Sequence, residues 1–206
     1  MRQRGPPAAE PARALAADGD ANESALLIVD MISRWDFPDA EPLLRHAVPI
    51  APRIAALKRR CLASGVPVIY ANDNRGHWRS DFRHVVRTAL DQPGRGADIA
   101  RQLEPSEEDY FVLKPRHSAF FATPLEILLD VLGTRRLIVA GVSSDQCVLH
   151  TAADARMRNL EVVVPRDCVA TQSPARHRRA LAHFEEVLAV KTSPGRSIRL
   201  HARASR

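Results

Sequence analysis

The sequence predicts an α/β protein, a single doubly wound domain whose parallel sheet carries helices on both faces. Three observations carry that expectation. The chain has 206 residues of 45% hydrophobic composition, enough for one substantial core and short for two domains of typical size. Short apolar runs bounded by turn residues recur along the chain from Ala25 onward. Between them lie stretches with helical apolar spacing, and such alternation calls for parallel strands joined by right-handed crossovers.

Taken in order, the first 24 residues are rich in Ala, Pro, Gly and charge without an apolar period, and they read as a disordered leader. The domain is expected over 25–192. Its strands are ALLIVDM (25–31), PVIYAN (67–72), YFVLK (110–114), RLIVAG (136–141), LEVVV (160–164) and EVLAV (186–190). Helices are expected over 50–63, 81–90, 124–132, 145–158 and 174–184. Residues 193–206 remain as a basic C-terminal tail.

Composition excludes several classes of function. No apolar run approaches the roughly 20 residues needed to cross a bilayer, and the N-terminus lacks a secretory h-region, so a cytoplasmic protein without a membrane role is expected. The net charge of +6 invites a nucleic-acid reading, yet Lys191, Arg196, Arg199, Arg203 and Arg206 account for five of those charges within the last 16 residues. The body is close to neutral and the tail reads as solvated, so no nucleic-acid partner is expected. Cys61, Cys147 and Cys168 are an odd, sparse set without CxxC spacing, consistent with free thiols. Neither GxGxxG nor GxxxxGK[ST] follows the first strand, which argues against a nucleotide site.

In a doubly wound sheet, ligands bind beyond the carboxyl ends of the strands. The first strand ends in Asp30, a carboxylate behind an apolar run and a candidate general base; on position alone, an Asp accepting hydrogen bonds from a loop fits as well. The third ends in Lys114, one of three lysines among 30 basic residues. A compact ammonium can stabilise a neighbouring carboxylate and a thiolate as a point charge. The fourth leads into AGVSSDQCVLHTAADA (140–155), where Ser143, Ser144 or Asp145 can cap a helix and Cys147 falls in its first turn. There the free amides and the positive helix end are expected to lower the thiol pKa and to hold an oxyanion.

Together Asp30, Lys114 and GVSSDQC, with VLKPRHSAFFATPLEILL (112–129), GVSSDQCVLHTAADA (141–155) and VVVPRDCVAT (162–171), resemble the isochorismatase-like cysteine hydrolase family from about Ala25 to about Thr192. The family includes nicotinamidases, N-carbamoyl amide hydrolases, ureidoacrylate-type amidohydrolases and isochorismatases. The resemblance implies a six-stranded parallel sheet in the order 3-2-1-4-5-6 and an Asp30, Lys114 and Cys147 triad. It also implies a cis peptide between Val142 and Ser143, an oxyanion hole from the Ser143 and Cys147 amides, and a homo-oligomer. The expected activity is hydrolysis of a small amide, carbamoyl or ureido C–N bond through a thioester, with no organic cofactor. An isochorismatase-type vinyl-ether hydrolase and a non-catalytic binding module are the alternatives.

Nicotinamidases of this family commonly carry an Asp and two His as a metal site after the second strand. Here YANDNRGHWRSDF (70–82) has Asp73 followed by Arg75 and Arg79, with His77 a lone loop imidazole, so no metal is expected. Trp35, Phe37, Trp78 and Phe120 are candidate walls for a planar substrate, with Phe121 beside them, and Arg75, Arg79 and Arg116 are candidate partners of a substrate carboxylate. Core packing for the rings and solvation for the guanidiniums are the competing explanations.

Overall fold

The computed structural model describes residues 23–74, 76 and 81–200. The expected leader therefore lies outside the described residues, apart from its last two, and so do Arg75, His77, Trp78 and Arg79. In order, the chain forms β1 (Ser24–Val29), α1 (Ala40–Ala47), α2 (Ala51–Ala63), β2 (Val68–Asp73), α3 (Phe82–Asp91), α4 (Arg95–Gln102) and β3 (Tyr110–Lys114). There follow α5 (Leu125–Val131), β4 (Arg136–Val142), α6 (Cys147–Met157), β5 (Glu161–Val163), β6 (Val169–Ala170) and α7 (Pro174–Glu186), then a 3-10 turn at Gly195–Ser197.

All strand pairings are parallel and the sheet runs β3-β2-β1-β4-β5, with β6 bonded to β4. β1 is buried along its whole length because both of its faces are covered. Leu26 and Ile28 point into one core with Leu43, Ile54, Leu57, Phe82 and Ile99, from α1 to α4. Leu27 and Val29 point into the other with Leu125, Val148, Ala152 and Phe184, from α5, α6 and α7. Each such fully buried aliphatic side chain contributes about 1.5–3 kcal/mol of transfer free energy.

The sixth strand is not where the sequence places it. Over 186–190 the chain completes α7: the Val187 amide donates to His183 O and Val190 donates to Phe184 O, and pairing with the sheet comes just after the segment, as an isolated bridge from Lys191 to Val163. β6 is the two-residue Val169–Ala170. β5 covers only Arg136, Leu137 and Ile138 of β4, so Gly141 and Val142 are left to pair with β6 after a break at Pro165. Two helices absent from the sequence expectation, α1 and α4, are eight residues each. α4 contains Gly96, a poor helix former, because a Cβ there would sit 2.7 Å from the Trp35 ring. Over its described part the basic tail keeps Arg196 and Arg199 exposed but docks its backbone: Ile198 is buried, and Arg60 of α2 donates to Gly195 O at 2.8 Å and Ile198 O at 2.6 Å.

Candidate active site

The register of the sheet brings three strand ends together. Val29 pairs with Ala71 and Asp73 with Lys114, so Asp30, Asp73 and Lys114 emerge side by side. Asp30 leaves β1 with φ 54 and donates its amide to Ala71 O at 2.9 Å. Its carboxylate is held at both oxygens: Oδ1 accepts from the Asp73 amide at 2.9 Å and Oδ2 meets Lys114 Nζ at 2.8 Å.

Lys114 is fully buried. Its ammonium also donates to Arg116 O at 3.3 Å and to Cys147 Sγ at 3.5 Å, and lies 3.9 Å from Asp73 Oδ2. Burial works against its charge, but Asp30, Cys147 and Asp73 outweigh it and raise the pKa above that of an ordinary lysine. The group is an ammonium at neutral pH.

The turn from β4 into α6 supplies the thiol. Gly141 has φ 113 and pairs with Val29 so closely that a Cβ would lie 2.1 Å from Val29 O, which restricts the position to glycine. The Val142–Ser143 peptide is cis, as the resemblance implies. Asp145 holds the turn by accepting from Ser143 Oγ at 2.7 Å, Thr171 Oγ1 at 2.6 Å and Arg176 Nε at 2.5 Å. Burial opposes the Asp145 charge, but the hydrogen bonds from Arg176, Thr171 and Ser143 outweigh it and lower the carboxyl pKa. The side-chain clamp thus ties the N-terminus of α7 to the loop that carries Cys147.

Cys147 is the first residue of α6 and is half-buried, whereas Cys61 and Cys168 are buried. No described residue accepts a hydrogen bond from the Ser143 or Cys147 amide, so both remain available to a ligand oxygen. The expectation of a lowered thiol pKa is overturned. Burial and the Asp30 carboxylate, against the opposing Lys114, push Cys147 up to about 12. At rest the sulfur is a neutral thiol, with Asp30 and Lys114 acting on its charge in opposite senses.

His117 was not singled out from the sequence, yet its Nδ1 lies 3.6 Å from Cys147 Sγ and its ring stacks on His150 at 5.4 Å. Its signal was present in VLKPRHSAFF, three residues past Lys114, where the loop must double back over the ammonium. Of the expected pocket walls, Trp35 is buried in the first core with Phe37 half-buried beside it, ring centroids 6.3 Å apart. Phe120 is buried in the second core with the Arg158 guanidinium 4.7 Å over its ring, and Phe121 is exposed. Both buried rings are packed within the cores. Arg75 and Trp78 lie outside the described residues. Among the described residues no three His, Cys, Asp or Glu side chains gather into a metal-binding group. Asp81, near the expected metal loop, caps α3 by accepting the His84 amide at 2.7 Å.

The model of the isochorismatase domain matches residues 24–193, the whole sheet and every group of this site. The chain belongs to the isochorismatase family. It is 39% identical over 166 residues to the isochorismatase family protein YaaI of Bacillus subtilis, covering 81% of this chain and 91% of that one. It is 27% identical over 168 residues to N-carbamoylsarcosine amidase of Arthrobacter, covering 76% of this chain and 62% of that enzyme. The crystal structure of N-carbamoylsarcosine amidase from Thermoplasma acidophilum superposes with a TM-score of 0.64 at 25% identity, covering 85% of this chain and 98% of that one. Among the described residues of this isochorismatase-family chain, no helix is long and apolar enough to cross a membrane.

Proposed function

We propose that this isochorismatase-family protein is a cysteine-dependent amidohydrolase that cleaves the C–N bond of a small amide, carbamoyl or ureido substrate through a thioester on Cys147. One observation carries this: a fully buried ammonium stands between a carboxylate at 2.8 Å and a thiol at 3.5 Å, with that thiol at a helix start beside two amides that have no acceptor among the described residues. The similarity to N-carbamoylsarcosine amidases supports the substrate class.

Asp30 takes the thiol proton as Sγ attacks the carbonyl carbon, so a thiol with a pKa near 12 needs no standing thiolate population. The Ser143 and Cys147 amides donate to the tetrahedral oxyanion. Asp30 returns its proton to the leaving nitrogen, the C–N bond breaks, and water hydrolyses the thioester. Lys114 compensates whichever of the carboxylate and the sulfur is anionic at each stage. A vinyl-ether hydrolysis would leave the thiol without a role. Ammonia or amine release from a panel of small amides, ureas and carbamates, with Cys147→Ala beside the wild type, tests the proposal. Turnover by wild type alone supports it; equal turnover by Cys147→Ala sinks the thioester route. Light scattering tests the accompanying proposal that the chain is a homo-oligomer.

A further inference from the structure

We propose that His117 is a further catalytic residue, the general base for the water that hydrolyses the thioester, so that the two halves of the reaction use different bases. The proposal rests on the cysteine amidohydrolase reading above.

Two titratable groups near Cys147 differ in their exposure. Asp30 lies toward the sheet, its side chain only 18% exposed and both oxygens already engaged by the Asp73 amide and Lys114. His117 lies on the solvent side and is exposed, with Nδ1 3.6 Å from the same sulfur. Water reaching a thioester on Cys147 comes from that side, and a carbonyl carbon bonded to Sγ falls within one water of the imidazole.

The ring is held there from two directions. Lys114 donates to Arg116 O at 3.3 Å, which anchors the backbone immediately before His117. His150, one turn into α6, stacks on the His117 ring at 5.4 Å and is itself fixed because its Nδ1–H donates to Gln146 O at 2.8 Å. His150 is therefore a positioning residue. An imidazole meant only to fill the rim needs neither anchor.

In this step a water proton passes to the free ring nitrogen of His117 as its oxygen bonds to the acyl carbon. The tetrahedral adduct collapses with cleavage of the C–S bond, the acid product leaves, and the imidazolium returns its proton to the sulfur. The thiol and the imidazole base are regenerated, with one water consumed.

The test uses p-nitrophenyl acetate as an acyl donor that needs no knowledge of the natural substrate, with stopped-flow release of nitrophenolate and intact-mass measurement. In His117→Gln the nitrophenolate burst is expected to keep its rate while steady-state turnover falls about 10²-fold and an acetyl adduct accumulates on Cys147. His117→Phe, which keeps a flat ring over His150 without a nitrogen, is expected to behave the same way; full activity in it would reduce His117 to packing. A His117→Gln enzyme with unchanged turnover, or with a lost burst and no adduct, overturns the assignment while leaving the thioester route intact. A wild-type enzyme that neither acylates Cys147 nor turns over any amide overturns both.

Discussion

Lys58 and Lys114 are both buried ammoniums paired with a carboxylate, and they are partnered in different ways. Lys58 places its three N–H bonds on Asp109 Oδ2 at 2.6 Å, Tyr70 Oη at 2.9 Å and Glu104 O at 3.1 Å, and Tyr70 passes its own hydrogen to Leu103 O. Every hydrogen has a short, fixed acceptor. Lys114 has one short contact, to Asp30, and then only longer ones to Arg116 O, Cys147 Sγ and Asp73. The first arrangement closes a loop against α2 and β2; the second leaves a cation aimed at a thiol that changes its charge in the proposed mechanism. Burial of a lysine does not separate scaffold from chemistry, whereas saturation of its hydrogens does.

The strongest test of that contrast is to remove each charge in turn. Cys147→Ala should abolish amide turnover with the thermal melt retained. Lys114→Met should lower kcat by about 10²–10⁴-fold, the range expected for loss of a group acting on the proton transfer. Lys58→Met should leave kcat of the folded enzyme unchanged and cost about 3–5 kcal/mol of stability in urea titration, because Asp109 then remains buried without its cation. Replacing Asp109 by Leu in the same chain should recover much of that loss. A Lys58→Met enzyme of full stability and lost activity would reverse the two roles.

The thiols offer a finer version of the same comparison. Burial pushes Cys61 and Cys168 up to about 12 from an ordinary 9.0. Above pH 9 the unfolded chain therefore holds fewer protons than the native one, so their contribution is complete below about pH 9 and is lost as pH climbs toward 12. Urea midpoints measured from pH 8 to 11 should fall, and Cys61→Ala should flatten the decline. Iodoacetamide should label Cys147 ahead of the other two by access, since all three thiols are held near the same pKa, with a rate that rises with pH; peptide mapping reads the order.

The smallest expected effect is none at all. Dialysis against a strong chelator should leave activity unchanged, because the sequence has Arg75 and Arg79 where the family resemblance implies metal ligands in nicotinamidases. Loss of activity that zinc, iron or manganese restores would falsify this.

Much of this architecture was written in the chain itself. Five of the six apolar runs are strands, five helices lie within about three residues of their expected ends, and Asp30, Lys114 and Cys147 stand together. Local pattern suffices for these, since a strand buried on both faces must be apolar and its first polar residue marks the end where ligands bind. Tertiary structure decided the rest. Residues 186–190 are as apolar as a strand, but the end of α7 satisfies their amides first, and the place beside β4 goes to Val169 and Ala170 because β5 is too short to fill it. The Cys147 pKa depends on how deeply the sulfur sinks and how near Asp30 lies, and neither is visible in a helix start. His117 and Asp145 reach the site through a loop that doubles back and through a clamp from α7, contacts 30 and 31 residues apart along the chain, for which local sequence carries no period.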